Sequence, residues 1–206
     1  MSVCGRYYLK SDDMNAVITS LLRSLDAGNA PRAKMEGEIY PGDTAPVLAN
    51  NRARMLRAFF MDWGFPLNNK RVITARSETA AQKSMFRESM QLRRCIIPAS
   101  FYYEWAVDDH TRYDFRPETG RSLLLAGIYR PEGNGRYSYT VLTRDAAPHM
   151  RHLHPRMPVI LPADSLIPWL TPGYDPDTLI KASRTDIRFA PAPQLPLDKA
   201  PADTLY

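Results

Sequence analysis

Cys95-Ile96-Ile97-Pro98-Ala99-Ser100-Phe101-Tyr102-Tyr103-Glu104-Trp105 holds two short apolar runs separated by a proline-containing break. Both runs are too short for a helix and rich in β-branched or aromatic side chains, so Cys95 to Ile97 and Phe101 to Trp105 read as strands. The same texture extends in both directions. Pro41-Gly42 marks a turn, and strands are expected over Ala45 to Leu48, Met55 to Phe60, Ser122 to Ile128, Tyr137 to Thr143 and Pro158 to Leu161. Val3 to Leu9 reads as a short strand or an extended lead into the core.

Helical periodicity is rarer. Ser11-Asp12-Asp13 offers an N-cap and an acidic first turn, and Met14, Val17, Ile18, Leu21, Leu22 and Leu25 follow at helical spacing. Gly28 supplies the stop, and the apolar stripe is expected to pack on the core. Ser77 to Met90 reads as a short helical region anchored by Met85 and Phe86, with short helices at Ala163 to Leu170 and Pro176 to Ser183. The proline-rich tail from Ala190 is expected to be a strapped-on extended segment or partly disordered. Many short strands with few helices suggest one α+β domain over 1–206, with a mixed, mainly antiparallel, barrel-like sheet and flanking helices.

The 206 residues, 44% of them hydrophobic, suffice for one sizeable core. No stretch approaches the roughly 20 apolar residues of a membrane span, and the first residues lack the apolar segment of a secretory signal, so a cytoplasmic protein is expected. Cys4 and Cys95 are too few for a disulfide scaffold. With His110, His149, His152 and His154 they show no metal-ligand spacing, so neither metal nor cofactor is expected. A formal charge of +5 suits a polyanionic partner.

Several residues could carry chemistry. Cys4 is close to the start of the chain, and a terminal cysteine joins thiol and α-amine in one residue, a pair that condenses with an aldehyde to a thiazolidine. As an internal residue it would be a small buried hydrophobe. Glu104 sits among aromatics, where burial would raise its pKa and ready it for proton transfer; the alternative is an outward-facing strand residue. His154 precedes an apolar strand and could donate to an oxyanion or shuttle a proton, or be a loop histidine without a task. Arg76 could grip a phosphate, or pair with Glu78, two residues on; Arg6 has the same phosphate option. Trp63 could offer a stacking face to an unpaired base, or fill the core.

Taken in order, Cys4-Gly5-Arg6-Tyr7, Pro41-Gly42, Trp63-Gly64, Ala75-Arg76-Ser77-Glu78-Thr79, Phe101-Tyr102-Tyr103-Glu104-Trp105 and His154-Pro155-Arg156-Met157-Pro158 resemble the SOS-response-associated peptidase (SRAP) family, from residue 4 to about 161. The resemblance implies a distorted barrel with a positively charged groove for single-stranded DNA. It implies an exposed N-terminal cysteine that forms a thiazolidine with the ring-opened aldehyde of an abasic site, and an autoproteolytic activity that removes residues ahead of that cysteine. Matched by position, Cys4 is the nucleophile and cross-linking residue. Glu104 assists proton transfers, His154 stabilises the open sugar, and Arg6 and Arg76 hold flanking phosphates. Thr74 stands where the family usually has asparagine, so the sugar is held with fewer donors. The second aromatic usual beyond Trp63-Gly64 is not evident.

Met1-Ser2-Val3 precedes Cys4, so thiazolidine chemistry calls for self-cleavage ahead of Cys4 or a true start at the Val3 codon; the latter is the expectation. A member that has lost cross-linking is the third reading. The expected partner is single-stranded DNA with abasic sites, bound by a monomer that joins the nucleoid when on DNA. The rival readings are a cysteine hydrolase acting on peptides in trans, with His154 as base, and a non-catalytic single-stranded DNA binder.

Overall fold

A computed structural model describes residues 4–193 apart from 27, 29, 31 and 134, and fourteen strands and five α-helices occur among the described residues. The first third holds β1 (Arg6–Leu9), α1 (Ala16–Arg23), β2 (Gly37–Ile39), β3 (Thr44–Asn50), β4 (Leu56–Trp63), β5 (Phe65–Leu67), β6 (Lys70–Val72) and β7 (Thr74–Arg76). Next come α2 (Ser77–Ala80), α3 (Ser84–Leu92), β8 (Arg94–Ala99), β9 (Phe101–Trp105), β10 (Arg112–Pro117), β11 (Leu123–Gly133) and β12 (Arg136–Asp145). The last are β13 (Arg156–Pro158), α4 (Leu166–Leu170), α5 (Pro176–Lys181) and β14 (Ile187–Pro191).

Five strands close into a barrel in the order β11-β8-β3-β4-β12, with β12 returning to pair with β11. Closure leaves no unpaired edge within the ring. The sheet is mixed because β12 runs antiparallel to β11 but parallel to β4, where Ser138 faces Asp62 and Tyr139 faces Trp63. β7 also joins β12 in parallel, Val141 opposite Thr74. Gly127 marks how tightly the wall is drawn: a Cβ there would lie 2.4 Å from Ile97 Cδ1 and 2.9 Å from the Thr140 carbonyl. Beside the barrel lies a second sheet, β14-β10-β9-β1-β2.

The expected strand over Phe101 to Trp105 is β9, residue for residue. The expected strand at Pro158 to Leu161 pairs earlier, as β13, and continues as an extended segment wedged between β11 and β12 through Ala126 N–H to Val159 O and Val159 N–H to Leu142 O. The first helix is shorter than its periodicity predicts. Ser11 to Asp13 form a separate 3-10 turn, and Asn15, not Ser11, caps α1 by accepting from the Ile18 amide. Ile18 and Leu22 are buried, whereas Val17 of the expected core stripe is 64% exposed. The helical region from Ser77 divides into α2 and α3, interrupted at 81–83. The proline-rich tail contributes β14, which runs antiparallel to β10; the rest, from residue 194, lies outside the described residues.

Candidate active site

The site starts at the pairing of β1 with β9, in which Arg6 faces Tyr103 and Tyr7 faces Tyr102. That antiparallel register brings Cys4 beside the Glu104–Trp105 end of β9. Strand alternation sends Phe101, Tyr103 and Trp105 to one face and Tyr102 and Glu104 to the other. Both faces of β9 are covered, Phe101 and Tyr103 at 7% exposure on one and Glu104 at 3% on the other, so the outward-facing alternative is excluded. The Cys4 amide donates to Glu104 Oε2 at 2.7 Å, and the Trp105 amide donates to Oε1 at 3.3 Å. Cys4 holds a left-handed backbone, φ 54°, a conformation that costs a non-glycine residue on the order of 1 kcal/mol.

Burial pushes the Glu104 carboxyl from 4.5 to about 8, against the two amides, which favour its charged form. The carboxyl is thus divided between acid and carboxylate near neutral pH, as a group that both gives and takes protons requires. The Cys4 thiol is pushed well above its ordinary value, first by burial and then by the charge of Glu104. At neutral pH it is a thiol.

His154 and Glu104 line one narrow crevice with Tyr102, Phe115, Met150 and Met157. His154 Nδ1 lies 3.1 Å from the Arg156 amide, which it can accept, and 3.2 Å from the Arg156 carbonyl, to which it can donate, so both contacts fix the ring's orientation. Desolvation lowers the imidazole pKa, favouring the neutral ring. Arg156 is fixed in turn by Glu78 through a two-pronged pair, Nη1 to Oε1 at 2.7 Å and Nη2 to Oε2 at 2.8 Å, and by the Thr143 carbonyl at 2.9 Å. The expected partner of Glu78, Arg76, is not its partner. β7 ends at Arg76 and α2 turns Glu78 away toward β13.

His154 and Arg156 also line a cleft of about 740 Å³, whose walls include Thr74, Arg76, Lys83 and Phe86. Its lining holds three arginine or lysine side chains and no carboxylate among the described residues. Arg76 is exposed and has no side-chain hydrogen bond or ion pair among the described residues, so its charge faces the cleft. A cation-lined cleft with an imidazole in its wall suits an anionic chain. No cluster of three or more possible metal ligands occurs among the described residues, and no helix is long and apolar enough to cross a membrane.

Glu104 and His154 share the crevice, and His154, Thr74 and Arg76 share the cleft, while Cys4 lines neither and meets Glu104 through its buried amide. Two expected DNA contacts belong to neither. Trp63 is fully buried in the barrel, where its indole N–H donates to the Ile73 carbonyl at 3.1 Å and its ring stacks on Tyr139; it is a core residue with no face for a base. Arg6 is 4% exposed, held between the rings of Tyr40 at 4.5 Å and Trp105 at 5.0 Å and close to Glu38. It braces the β1–β2–β9 sheet and does not reach a phosphate from there. The sequence reading missed Lys83 and the Glu78–Arg156 pair. Lys83 carried no signal beyond its charge, and the pair links residues far apart in the chain.

Residues 3–193 match the profile of a family described as SOS response associated peptidase (SRAP). Abasic site processing protein YoqW of Bacillus subtilis is 34% identical, with 86% of this chain and 84% of the relative covered. YoaM of the same organism, also an abasic site processing protein, is 38% identical, over 86% and 83%. The abasic site processing protein HMCES of Xenopus tropicalis is 28% identical over 63% of this chain and 47% of its own. A solved structure from Bordetella bronchiseptica superposes with a TM-score of 0.74 at 24% identity, covering 93% of this chain and all of that one. One from Bacteroides thetaiotaomicron also gives 0.74, at 17% identity, and both report on the fold alone.

Proposed function

Since the chain belongs to the SOS response associated peptidase (SRAP) family, we propose that it processes abasic sites in single-stranded DNA by capturing them covalently through Cys4. The observation that carries this reading is the 2.7 Å contact between the Cys4 nitrogen and the buried Glu104 carboxyl, which shares a crevice with His154, a residue that also lines the cation-lined cleft. The relatives act, by their names, on abasic sites, and such a site in equilibrium with its ring-opened form is an aldehyde on an anionic chain.

The strand lies in the cleft, with Arg76 and Lys83 toward its phosphates. Residues ahead of Cys4 are removed, freeing its amine. The amine adds to the aldehyde carbon, and water leaves after proton transfer through Glu104, giving an imine. The thiol then adds across the C=N bond, its proton passing to nitrogen, and the thiazolidine closes with no oxidant or cofactor. His154 stabilises the oxygen of the opened sugar, and Thr74 supports it from the cleft wall. In a chain made with residues ahead of Cys4, the same carboxyl stands beside the nitrogen that departs when that bond is cut, so self-cleavage there would draw on Glu104 as capture does. The protein works as a monomer, at the nucleoid when on DNA.

A peptide hydrolase acting in trans draws its power from a thiolate. Burial and Glu104 push the Cys4 thiol in the opposite sense, which favours capture over hydrolysis. The test is a denaturing gel after incubation with single-stranded DNA bearing one abasic site. A heat-stable shifted band that needs the lesion supports capture; a reversible, lesion-independent complex makes the protein a plain binder, and turnover of peptides without an adduct makes it a hydrolase.

A further inference from the structure

The barrel has a second mouth. Its interior is plugged toward Cys4 by Tyr7, Trp63 and Tyr139, the two tyrosine hydroxyls hydrogen-bonded to each other at 2.7 Å. Away from that plug, the β3–β4 turn with residues of β4, β8, β11 and β12 lines a cavity of about 420 Å³ that includes Phe59, Met61 and Tyr129. It shares no lining residue with the cleft that contains His154 and Arg76. Barrel mouths are recurrent ligand sites.

The chemistry of this cavity is specific. Tyr129 and Tyr137 meet edge to face, with ring centroids 6.0 Å apart, and Tyr137 remains 38% exposed. Arg52 and Arg54 rise on the β3–β4 turn at the rim, both exposed. That turn is held by Asn51, whose side-chain oxygen accepts the Met55 amide at 2.9 Å. In the wall, Arg94 is 6% exposed, spends its hydrogen bonds on the carbonyls of Trp169, Met90, Thr171 and Tyr174, and feels the charge of Asp175. No acidic residue lines the cavity among the described residues.

We propose that this mouth is a nucleotide-binding site, in which a base lies on the Tyr129–Tyr137 platform and its phosphate is held by Arg52 and Arg54. An aromatic surface beside uncompensated guanidinium groups matches a flat ring joined to an anion. The volume is that of a single small ligand. The nucleotide is either free or one unit of a DNA strand, and the two sources share this chemistry.

Full-length protein is titrated with 5′-dAMP, with deoxyadenosine and with a short oligo(dT), following tyrosine fluorescence or amide NMR shifts. Saturable dAMP binding is expected in the millimolar range or tighter, weakened at least about tenfold in Arg52→Ser/Arg54→Ser and unchanged in Arg76→Ala. Deoxyadenosine should bind more weakly than dAMP. Competition by oligo(dT) identifies a strand as the source; its absence identifies a free nucleotide. No saturation in the wild type overturns the proposal, as does dAMP binding that persists in Arg52→Ser/Arg54→Ser, or equal binding of deoxyadenosine. Saturation instead by an acidic peptide ending in phenylalanine assigns the mouth to a protein tail and overturns it equally. Because both arginines lie outside the Cys4 site, adduct formation on abasic DNA should be intact in the double variant.

Discussion

The backbone nitrogen of Cys4 and the Oε2 atom of Glu104 are 2.7 Å apart, although 100 residues separate them in the chain. Pairing of β1 with β9 produces this contact, and burial on the inner face of β9 gives the carboxyl its raised pKa. One side chain is thereby placed against the atom that must lose and gain protons in every step proposed.

Glu104→Gln should separate this chemical role from a structural one. The amide keeps the shape and accepts the Cys4 N–H but relays no proton, so adduct formation should slow by about 100-fold, within the usual range for general acid–base catalysis. Stability should move the other way. The folded-state pKa lies above the unfolded value, so the wild type has its full stability below pH 4.5 and loses it as pH rises toward about 8. Thermal melts across that interval should fall for the wild type and stay flatter for Glu104→Gln. Parallel melting curves would show that the carboxyl is not protonated in the folded state.

Arg156 is expected to act through His154. Removing its side chain in Arg156→Gln dissolves the pair with Glu78 and takes a cation from beside the imidazole. The His154 pKa should rise, as followed by its ring-proton NMR shift, and capture should slow roughly tenfold from lost positioning. Glu78→Gln should reproduce the rate loss in part. A normal rate with an unchanged histidine titration would leave the pair with a structural role alone.

The two arginines expected to hold phosphates should part company. Arg76→Ala should weaken binding to single-stranded DNA and reduce the salt slope by about 0.7, the share of one phosphate contact. Arg6→Ala should leave the slope alone and instead destabilise the fold by about 2 kcal/mol, because it removes a buried cation from between Tyr40 and Trp105. Binding measured from low to moderate salt, alongside denaturant melts, distinguishes the two.

Trp63→Ala should cost about 3–5 kcal/mol, as large-to-small changes in a closed core do. The folded fraction should bind DNA with unaltered affinity. Selective loss of affinity at full stability would mean that the indole leaves the core to meet a base.

The difference between Trp63 and Glu104 shows what the sequence can express. Both sit in aromatic-rich strands, and the residue pattern alone left open whether each faced in or out. Glu104 faces in, as a residue of a strand covered on both faces. For Trp63 the core alternative holds, because the indole's fate depends on Tyr139 and Ile73, brought to it by the parallel pairing of β12 with β4 and by the link between β6 and β7. Strands were legible from local composition, whereas barrel closure rests on the non-local return of β12 to β11 and to β4. α1 was overextended because its periodicity runs beyond the cap that Asn15 provides, and the exposure of Val17 follows from where that short helix docks. Lys83 and Arg156 entered the site only once α2 and β13 had been folded against β12.

The central claim is that thiol and amine of Cys4 act together on a DNA aldehyde, and the most direct measurement is the mass and stability of the N-terminal peptide after reaction. Protein whose chain starts at Cys4 is incubated with abasic single-stranded DNA, digested, and analysed without reductant, beside Cys4→Ser. The wild type should yield a Cys4 peptide carrying the sugar remnant with the loss of one water, stable to heat, while Cys4→Ser should yield an adduct only after borohydride reduction. An unmodified Cys4 peptide, or a serine variant that forms an equally stable adduct without reductant, would contradict the account.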